Sequence, residues 1–224
     1  MNERDAIERA CAEFYEWAGA LIERRKGEPG DDLISTLIAA EQEGDRLSDV
    51  ECMNLVLNVL VGGVDTTQSQ LAHAMRLFAA NPEQWQLLGD RPELAPAAVE
   101  EVVRYEPITP FTARLTREEV THRDVTFPAG SLILASAVTA NRDPDAYEDP
   151  GGFDIHADRG RAKPLTFGAG PHFCLGANLA RAELQEAFAF LAPRMRGMRL
   201  AEEPRYESPL GIYGVGELRI EIPA

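Results

Sequence analysis

Apolar residues return along the first stretch of the chain at Ile7, Cys11, Phe14, Ala18 and Leu21, in steps of four and three. That spacing draws one apolar stripe along a helix of about twenty residues. Arg24, Arg25 and Lys26 followed by Gly27, Pro29 and Gly30 mark its end, with cations in the last turn and helix breakers beyond. Asp31 or Asp32 then caps a short helix over 33–41. Ser48 and Glu51 stand at the spacing of a capping box. The helix they open can run to about Ala80, where Asn81-Pro82 stops it. A helix of that length would be ~48 Å long, the span of a whole domain.

From Leu55 to Val64 this helix is apolar on nearly every face, which predicts that its middle is buried. The same stretch holds Gly62 and Gly63 and runs into Asp65, Thr66 and Thr67. Each glycine costs ~1 kcal/mol against alanine in a helix interior. A buried acid costs more unless it is paired. Local rules broken in the middle of a strong helix mark a candidate functional site.

Helices are predicted from Pro82 to about Leu88 and from Pro96 to about Tyr105. Residues 111–116 and 124–138 read as short strands, with Phe127-Pro128-Ala129-Gly130 as a turn. Residues 141–173 are rich in Pro, Gly and Asp, and a loop so long is usually functional. A last amphipathic helix runs from Leu175 to about Ala192, and the tail over 211–222 reads as a terminal hairpin. The expected fold is mainly α, with a small β element at about 111–136.

Composition changes the picture in three ways. The 224 residues suit one or two domains, and 45% apolar with 26% charged residues is a globular composition. The 37 acidic against 22 basic side chains give a net charge of −15, which would repel phosphate backbones and argues against a nucleic-acid partner. Residues 1–60 hold 14 of the acids and 6 of the bases, which reads as a solvated helical face. Of the bases, 20 are Arg and 2 are Lys, a bias read as that of a GC-rich bacterial genome. Cys11, Cys52 and Cys174 are too few and too scattered for a disulfide framework or a paired-cysteine metal site, as expected in a cytoplasmic protein. The first ten residues are charged, with no signal-peptide core, and the longest apolar stretch spans 10 residues where a membrane crossing needs ~20. No membrane partner is expected.

The sharpest chemical signal is the string from Thr166 to Leu184, TFGAGPHFCLGANLARAEL. Gly168, Gly170 and Gly176 surround Cys174, and a helix starts directly after it. Glycines let backbone approach a ligand closely. The free N–H groups and positive dipole of a helix N-terminus favour thiolate. A buried structural cysteine needs no such glycines. A nucleophile would need a base, and His73, His122 and His156 lie in no recognisable protease context. Zinc would need partner ligands. One thiolate can hold a heme iron, because the porphyrin supplies four ligands.

The string Phe167-Gly168-Ala169-Gly170-Pro171-His172-Phe173-Cys174-Leu175-Gly176, followed by Leu179-Ala180-Arg181, resembles the heme-thiolate loop of the cytochrome P450 superfamily. The resemblance implies that the cofactor is heme b (iron protoporphyrin IX). It makes Cys174 the axial ligand, His172 a propionate contact, and Phe167, Gly168 and Gly176 neighbours of the cofactor. Gly62-Gly63-Val64-Asp65-Thr66-Thr67 resembles the oxygen-binding groove of the family's long central helix. Gly62 and Gly63 would then border the heme along a widened helix turn, Thr66 would hydrogen-bond iron-bound oxygen, and Asp65 would relay protons.

Glu101 and Arg104 match the family's ExxR pair. Spacing alone would make them a surface ion pair, whereas the family implies a buried structural clamp. Its usual third partner, the arginine of an FDIxR string, is missing, because His156 and Ala157 follow Phe153-Asp154-Ile155. His156 or Arg159 is expected to substitute. Arg114 matches the arginine on the second propionate; without the resemblance it reads as an exposed strand residue. Asn141-Arg142-Asp143-Pro144 also recurs in the family at this place. Arg159, Arg161, Lys163 and Arg181 lie around the cysteine loop in sequence and read either as ordinary surface charge or as a patch that docks an acidic electron donor.

By resemblance, the chain is the C-terminal half of the P450 fold, a truncated heme domain over 1–224 whose preceding ~180–200 residues, more than an average domain, are missing. The implied function is hydroxylation of a small apolar organic substrate, with dioxygen and electrons from a ferredoxin or flavoprotein. Val61, Thr109, Pro110, Phe111 and Ile212 are the expected substrate contacts. The alternative is a non-catalytic fragment that associates with itself, with the missing half or with another partner.

Overall fold

The computed structural model describes residues 3–39, 41–42, 45–160 and 162–223. Helix α1 (Glu3–Gly27) ends at the predicted cations, and α2 (Leu33–Ala39) opens at Asp32, whose Oδ1 accepts from the Ser35 N–H at 2.8 Å. Strands β1 (Glu41–Gln42) and β2 (Asp45–Arg46) form a small antiparallel pair. The capping box is real: Ser48 N–H donates to Glu51 Oε2 at 2.8 Å and Glu51 N–H to Ser48 Oγ at 3.3 Å. It opens α3 (Asp49–Ala80), unbroken for 32 residues. The helix is α throughout, so the widened turn expected at Gly62–Thr67 is not expressed as a break or a π turn.

The chain divides into two units, at Val64 and Asp65 within α3. In the first unit the stripe of α1 is covered only towards its end: Ala18 is buried and Leu21 half-buried, while Ile7 and Cys11 are exposed. Tyr15 Oη donates to Asn54 Oδ1 at 2.7 Å, and Lys26 pairs with Asp49 at 2.6 Å, which ties α1 to the start of α3. Cys52 and Val56 are buried beneath, but Leu60, Val61 and Val64 are 44%, 61% and 63% exposed. The expectation that the middle of α3 is buried is therefore wrong for this chain. A segment apolar on nearly every face is built to be covered, and among the described residues that cover is absent.

The second unit holds the core. Helices α4 (Pro82–Asp90), α5 (Ala95–Tyr105) and α7 (Ala177–Leu191) pack with the last turns of α3 around Phe78, Trp85, Val99, Val102, Leu184 and Phe188. Phe78 meets Trp85, Phe188 and Phe153 at ring distances of 5.0, 5.4 and 5.6 Å. Trp85 Nε1 donates to the Met195 carbonyl at 2.9 Å, so its polar edge is satisfied inside the core. Burying side chains of this size stabilises by ~1.5–3 kcal/mol each. Gly89 lets α4 approach the end of α7, since a Cβ there would meet the Ala192 carbonyl oxygen at 3.0 Å.

Between α5 and α7 lie β3 (Phe111–Leu115), the hairpin β4 (Val120–His122) and β5 (Val125–Phe127), β6 (Leu132–Ser136) and the one-turn α6 (Ala137–Ala140). β3 pairs antiparallel with β6, from Phe111 opposite Ser136 to Leu115 opposite Leu132, which is the β element expected at 111–136. The long segment after α6 is not featureless: it turns through short 3₁₀ helices at Leu165–Phe167 and Gly170–His172. The terminal hairpin is present but starts upstream of 211. β8 (Arg205–Tyr206) pairs with β9 (Val215–Glu217), nested inside the pairing of β7 (Arg199–Leu200) with β10 (Ile220–Glu221).

Candidate functional site

The cysteine loop is built on glycine. Gly168 and Gly170 have φ of +73° and +72°, a region in which a Cβ would clash with the neighbouring backbone. Cys174 N–H donates to the Phe167 carbonyl at 2.9 Å, which closes the loop, and Ala177 N–H donates to the Cys174 carbonyl at 3.3 Å as α7 begins. The whole run from Ala169 to Gly176 is exposed, with Phe173 52% and Leu175 79% open to solvent. Cys174 is a free, exposed thiol.

Behind the loop sits a buried ionic cluster. Glu101 is 3% exposed and Arg104 1%. Arg104 Nε and Nη2 donate to the two Glu101 oxygens, each at 2.8 Å. Arg159 Nη2 and Nε approach the same carboxylate at 2.6 and 3.1 Å, and Asp154 N–H adds a bond of 3.0 Å. Burial by itself would push the Glu101 carboxyl up, but these donors outweigh it and hold the pKa below the ordinary glutamate value. The pair is thus a buried clamp, and Arg159 is the substitute third partner. His156 is exposed, its ring near Arg91 Nη1 at 3.4 Å. Two guanidiniums on one carboxylate leave an excess of positive charge. Carbonyl oxygens take it up: Arg104 donates to Asn141, Pro150 and Gly152, and Arg159 to Glu148, Asp149 and Gly152.

The clamp reaches the cysteine loop through Asn141. This side chain is fully buried; its Oδ1 accepts from Leu165 N–H at 2.7 Å and its Nδ2 donates to Thr166 Oγ1 at 3.0 Å. Thr166 Oγ1 in turn donates to the Val103 carbonyl of α5. Sequence reasoning noticed Asn141 only as part of a recurring string and passed over Thr166. Their signal was polarity beside apolar neighbours, which patterning cannot separate from an ordinary loop.

Arg181 pairs with Glu100 of α5 and lies 4.4 Å from the Phe167 ring centre. The group Arg159, Arg161, Lys163 and Arg181, read as either surface charge or a docking patch, therefore has two members held in internal pairs. Arg161 lies outside the described residues, and Lys163 is exposed.

The remaining candidates are only partly gathered. Arg114 is exposed on β3 and donates to the Ala113 carbonyl at 2.9 Å. His172 and Gly176 are exposed, and Phe167 and Gly168 are half-buried. Gly62, Gly63 and Val61 are exposed in the first unit. Asp65 is also exposed, so the expected buried acid is solvated here, for the same missing cover; Thr66 is half-buried. Thr109 and Phe111 are half-buried and Pro110 is buried. The half-buried Ile212 is brought beside that segment, because Tyr213 N–H donates to the Ile108 carbonyl at 2.6 Å.

The donor set suits heme. Among the described residues no group of three or more His, Cys, Asp or Glu side chains could hold a metal ion. An iron on Cys174 would have to bring its other ligands, as a porphyrin iron does. The exposed Leu165, Phe173, Leu175 and Leu179 around the thiol offer a macrocycle an apolar bed. No described helix is long and apolar enough to cross a membrane.

Comparison with known proteins points the same way. The family model described as Cytochrome P450 matches residues 2–89 and 84–192. Luteothin monooxygenase of Streptomyces thioluteus is 43% identical over 227 residues, covering 100% of this chain and 55% of its own. Mycinamicin IV hydroxylase/epoxidase of Micromonospora griseorubida is 43% identical, over 88% of this chain and 49% of its own. The crystal structure of CYP109E1 from Bacillus megaterium in complex with testosterone superposes with a TM-score of 0.91 at 30% identity, covering 99% of this chain and 61% of that one. The chain spans about half the length of the curated relatives it matches. With its glycine-bound cysteine loop, its buried Glu101–Arg104–Arg159 clamp and these matches, the chain belongs to the cytochrome P450 family.

Proposed function

We propose that this chain carries the thiolate-ligand half of a P450 monooxygenase that hydroxylates a small apolar substrate, with heme b as cofactor and a ferredoxin or flavoprotein as electron donor. One observation carries the reading: an exposed thiol on a glycine-turned loop whose start is hydrogen-bonded through Asn141 to a buried clamp. When bound, heme would supply the activation of dioxygen. Cys174 would donate its thiolate to the iron, and Phe167 and Gly168 would border the ring. His172 and Arg114 would offer hydrogen-bond donors to the propionates. Thr66 Oγ1 would donate a proton at the oxygen site, and the exposed Asp65 carboxylate would renew it from solvent. Thr109, Pro110, Phe111 and Ile212 would exclude water around the substrate. A cytoplasmic setting fits the free cysteines.

The test is the absorption spectrum of heme-reconstituted, reduced, CO-bound protein. Cys174→Ser should abolish the thiolate-type Soret band, and Cys11→Ser should leave it in place. An unchanged band in Cys174→Ser would remove the reading.

A second reading is favoured by the exposed apolar run Leu60, Val61 and Val64 and by the exposed Leu175 and Leu179. Here the chain acts only once further polypeptide covers these residues, and by itself it self-associates. Heme per chain and oligomeric state of residues 1–224 separate the two: a monodisperse monomer with one tightly held heme would exclude the second.

A further inference from the structure

Among the described buried titratable groups without a role in the proposed chemistry, His73 is the one with no solvent exposure at all. His73 lies fully buried on the C-terminal part of α3. Its Nε2 is 2.8 Å from the Tyr213 carbonyl oxygen. A carbonyl can only accept, so Nε2 carries the hydrogen and Nδ1 is a bare lone pair. That Nδ1 has no hydrogen-bond partner and stands 4.0 Å from Glu106 Oε1. Nδ1 therefore makes no hydrogen bond, and the bond from Nε2 is the ring's one hydrogen bond.

That bond is one of two backbone anchors of Tyr213. Tyr213 N–H donates to the Ile108 carbonyl at 2.6 Å, while its own carbonyl accepts from His73. Upstream of Tyr213 the loop is open, with Leu210 71% exposed and Gly211 at φ of +118°, while downstream Gly214 is buried and its carbonyl accepts from Glu207 N–H at 3.0 Å. The His73 ring packs 4.8 Å from the Tyr213 ring and 6.0 Å from that of Tyr206. The groups facing it are Arg76 from α3, Glu106 after α5, Tyr206 from β8 and Tyr213 from the loop. Arg76 Nη2 holds Glu106 at 2.8 Å, which keeps that carboxylate engaged elsewhere. Burial pushes the imidazole pKa down, against the pull of Glu106 and the Tyr213 carbonyl, so the ring is neutral at neutral pH.

We propose that His73 is a positioning residue for the substrate-facing loop: its Nε2–H fixes the Tyr213 carbonyl and thereby sets Ile212 beside the Thr109–Phe111 segment. This rests on the reading of Ile212 and Thr109–Phe111 as substrate contacts. Without the imidazole, the Tyr213 carbonyl loses its donor and Tyr213 keeps only its N–H bond to the Ile108 carbonyl.

The test uses the full chain and two readouts. Amide exchange at Tyr213 should quicken at least about tenfold in His73→Leu, while the β3–β6 ladder keeps its protection. His73→Gln, whose amide N–H can donate in the same direction, should restore protection to within about threefold of the parent. Equal protection in parent and His73→Leu, or no rescue by Gln, would overturn the proposal. Should the variants fail to fold, imidazole ¹⁵N shifts of the unmutated chain at neutral pH decide it. The Nε2–H tautomer supports the proposal, and the Nδ1–H tautomer or an imidazolium overturns it. Neither readout involves heme or substrate, so its failure is separate from failure of the monooxygenase reading.

Discussion

Glu101 and Asp65 are both acids that the family resemblance picked out, one for a structural clamp and one for a proton relay, and the fold treats them in opposite ways. Glu101 is 3% exposed and accepts five hydrogen bonds from Arg104, Arg159 and Asp154. Asp65 is exposed, next to a Val64 that is 63% exposed. The clamp is complete because every element that supplies it, from α5 to the turn before the cysteine loop, is in this chain. The glycine segment of α3 has its own sequence and helix but no described cover. A buried charge tolerates no missing partner, whereas an exposed apolar helix face keeps its backbone bonds whether or not it is covered. The two regions therefore differ in what can be asked of the isolated chain.

The largest expected effect breaks the complete region. Glu101→Ala would leave two guanidiniums inside without their carboxylate and should cost about 3–5 kcal/mol, read from the urea midpoint. If the loss is within ~0.5 kcal/mol, a surface-like value, the clamp is not what holds the loop. A smaller effect identifies the third partner. Arg159→Ala should cost about 1–3 kcal/mol, the range for leaving a buried charged group short of a donor. His156→Ala, at an exposed residue, should stay within ~0.5 kcal/mol. Equal losses would return the substitution to doubt.

Acid should find the same contrast. The folded pKa of Glu101 lies below its unfolded value near 4.5, so its stabilisation is complete above that value and lost as pH falls through the folded pKa. The folded pKa of His73 lies below 6.5, so the unfolded chain binds the extra proton and stability falls as pH drops below that value. Urea midpoints across this range should thus decline in two stages, and His73→Gln should remove the upper one. The smallest effect on stability belongs to the uncovered region. Val61→Ser with Val64→Ser should change the midpoint by no more than ~0.5 kcal/mol per site. It should also lower apolar-dye fluorescence and self-association. A large loss of stability would mean that these valines are packed in solution.

Local chemistry made much of this legible from sequence alone. The ends of α1 and α3 follow from cations, glycine, proline and a capping box, each decided within a few residues. The β3–β6 element was bounded by its turn, and the cysteine loop by glycines whose φ only they adopt freely. The resemblance carried the clamp pair and the cofactor. What it could not decide was which side chain, His156 or Arg159, would replace the missing arginine. Reach and direction settle that: Arg159 meets Glu101 with two nitrogens while His156 points to solvent.

The sequence by itself determined where helices start and stop, which loop presents a thiol and to which family the chain belongs. Those properties rest on short-range sterics and on hydrogen bonds between near neighbours. Only the tertiary structure decided that Asn141 links clamp to loop, that Arg181 and Arg159 are engaged in internal pairs, that His73 grips the Tyr213 carbonyl, and that the apolar middle of α3 lies open. Each depends on residues tens of positions apart arriving at one place, or failing to arrive, and hydrophobic pattern records only that a face should be covered, never by what.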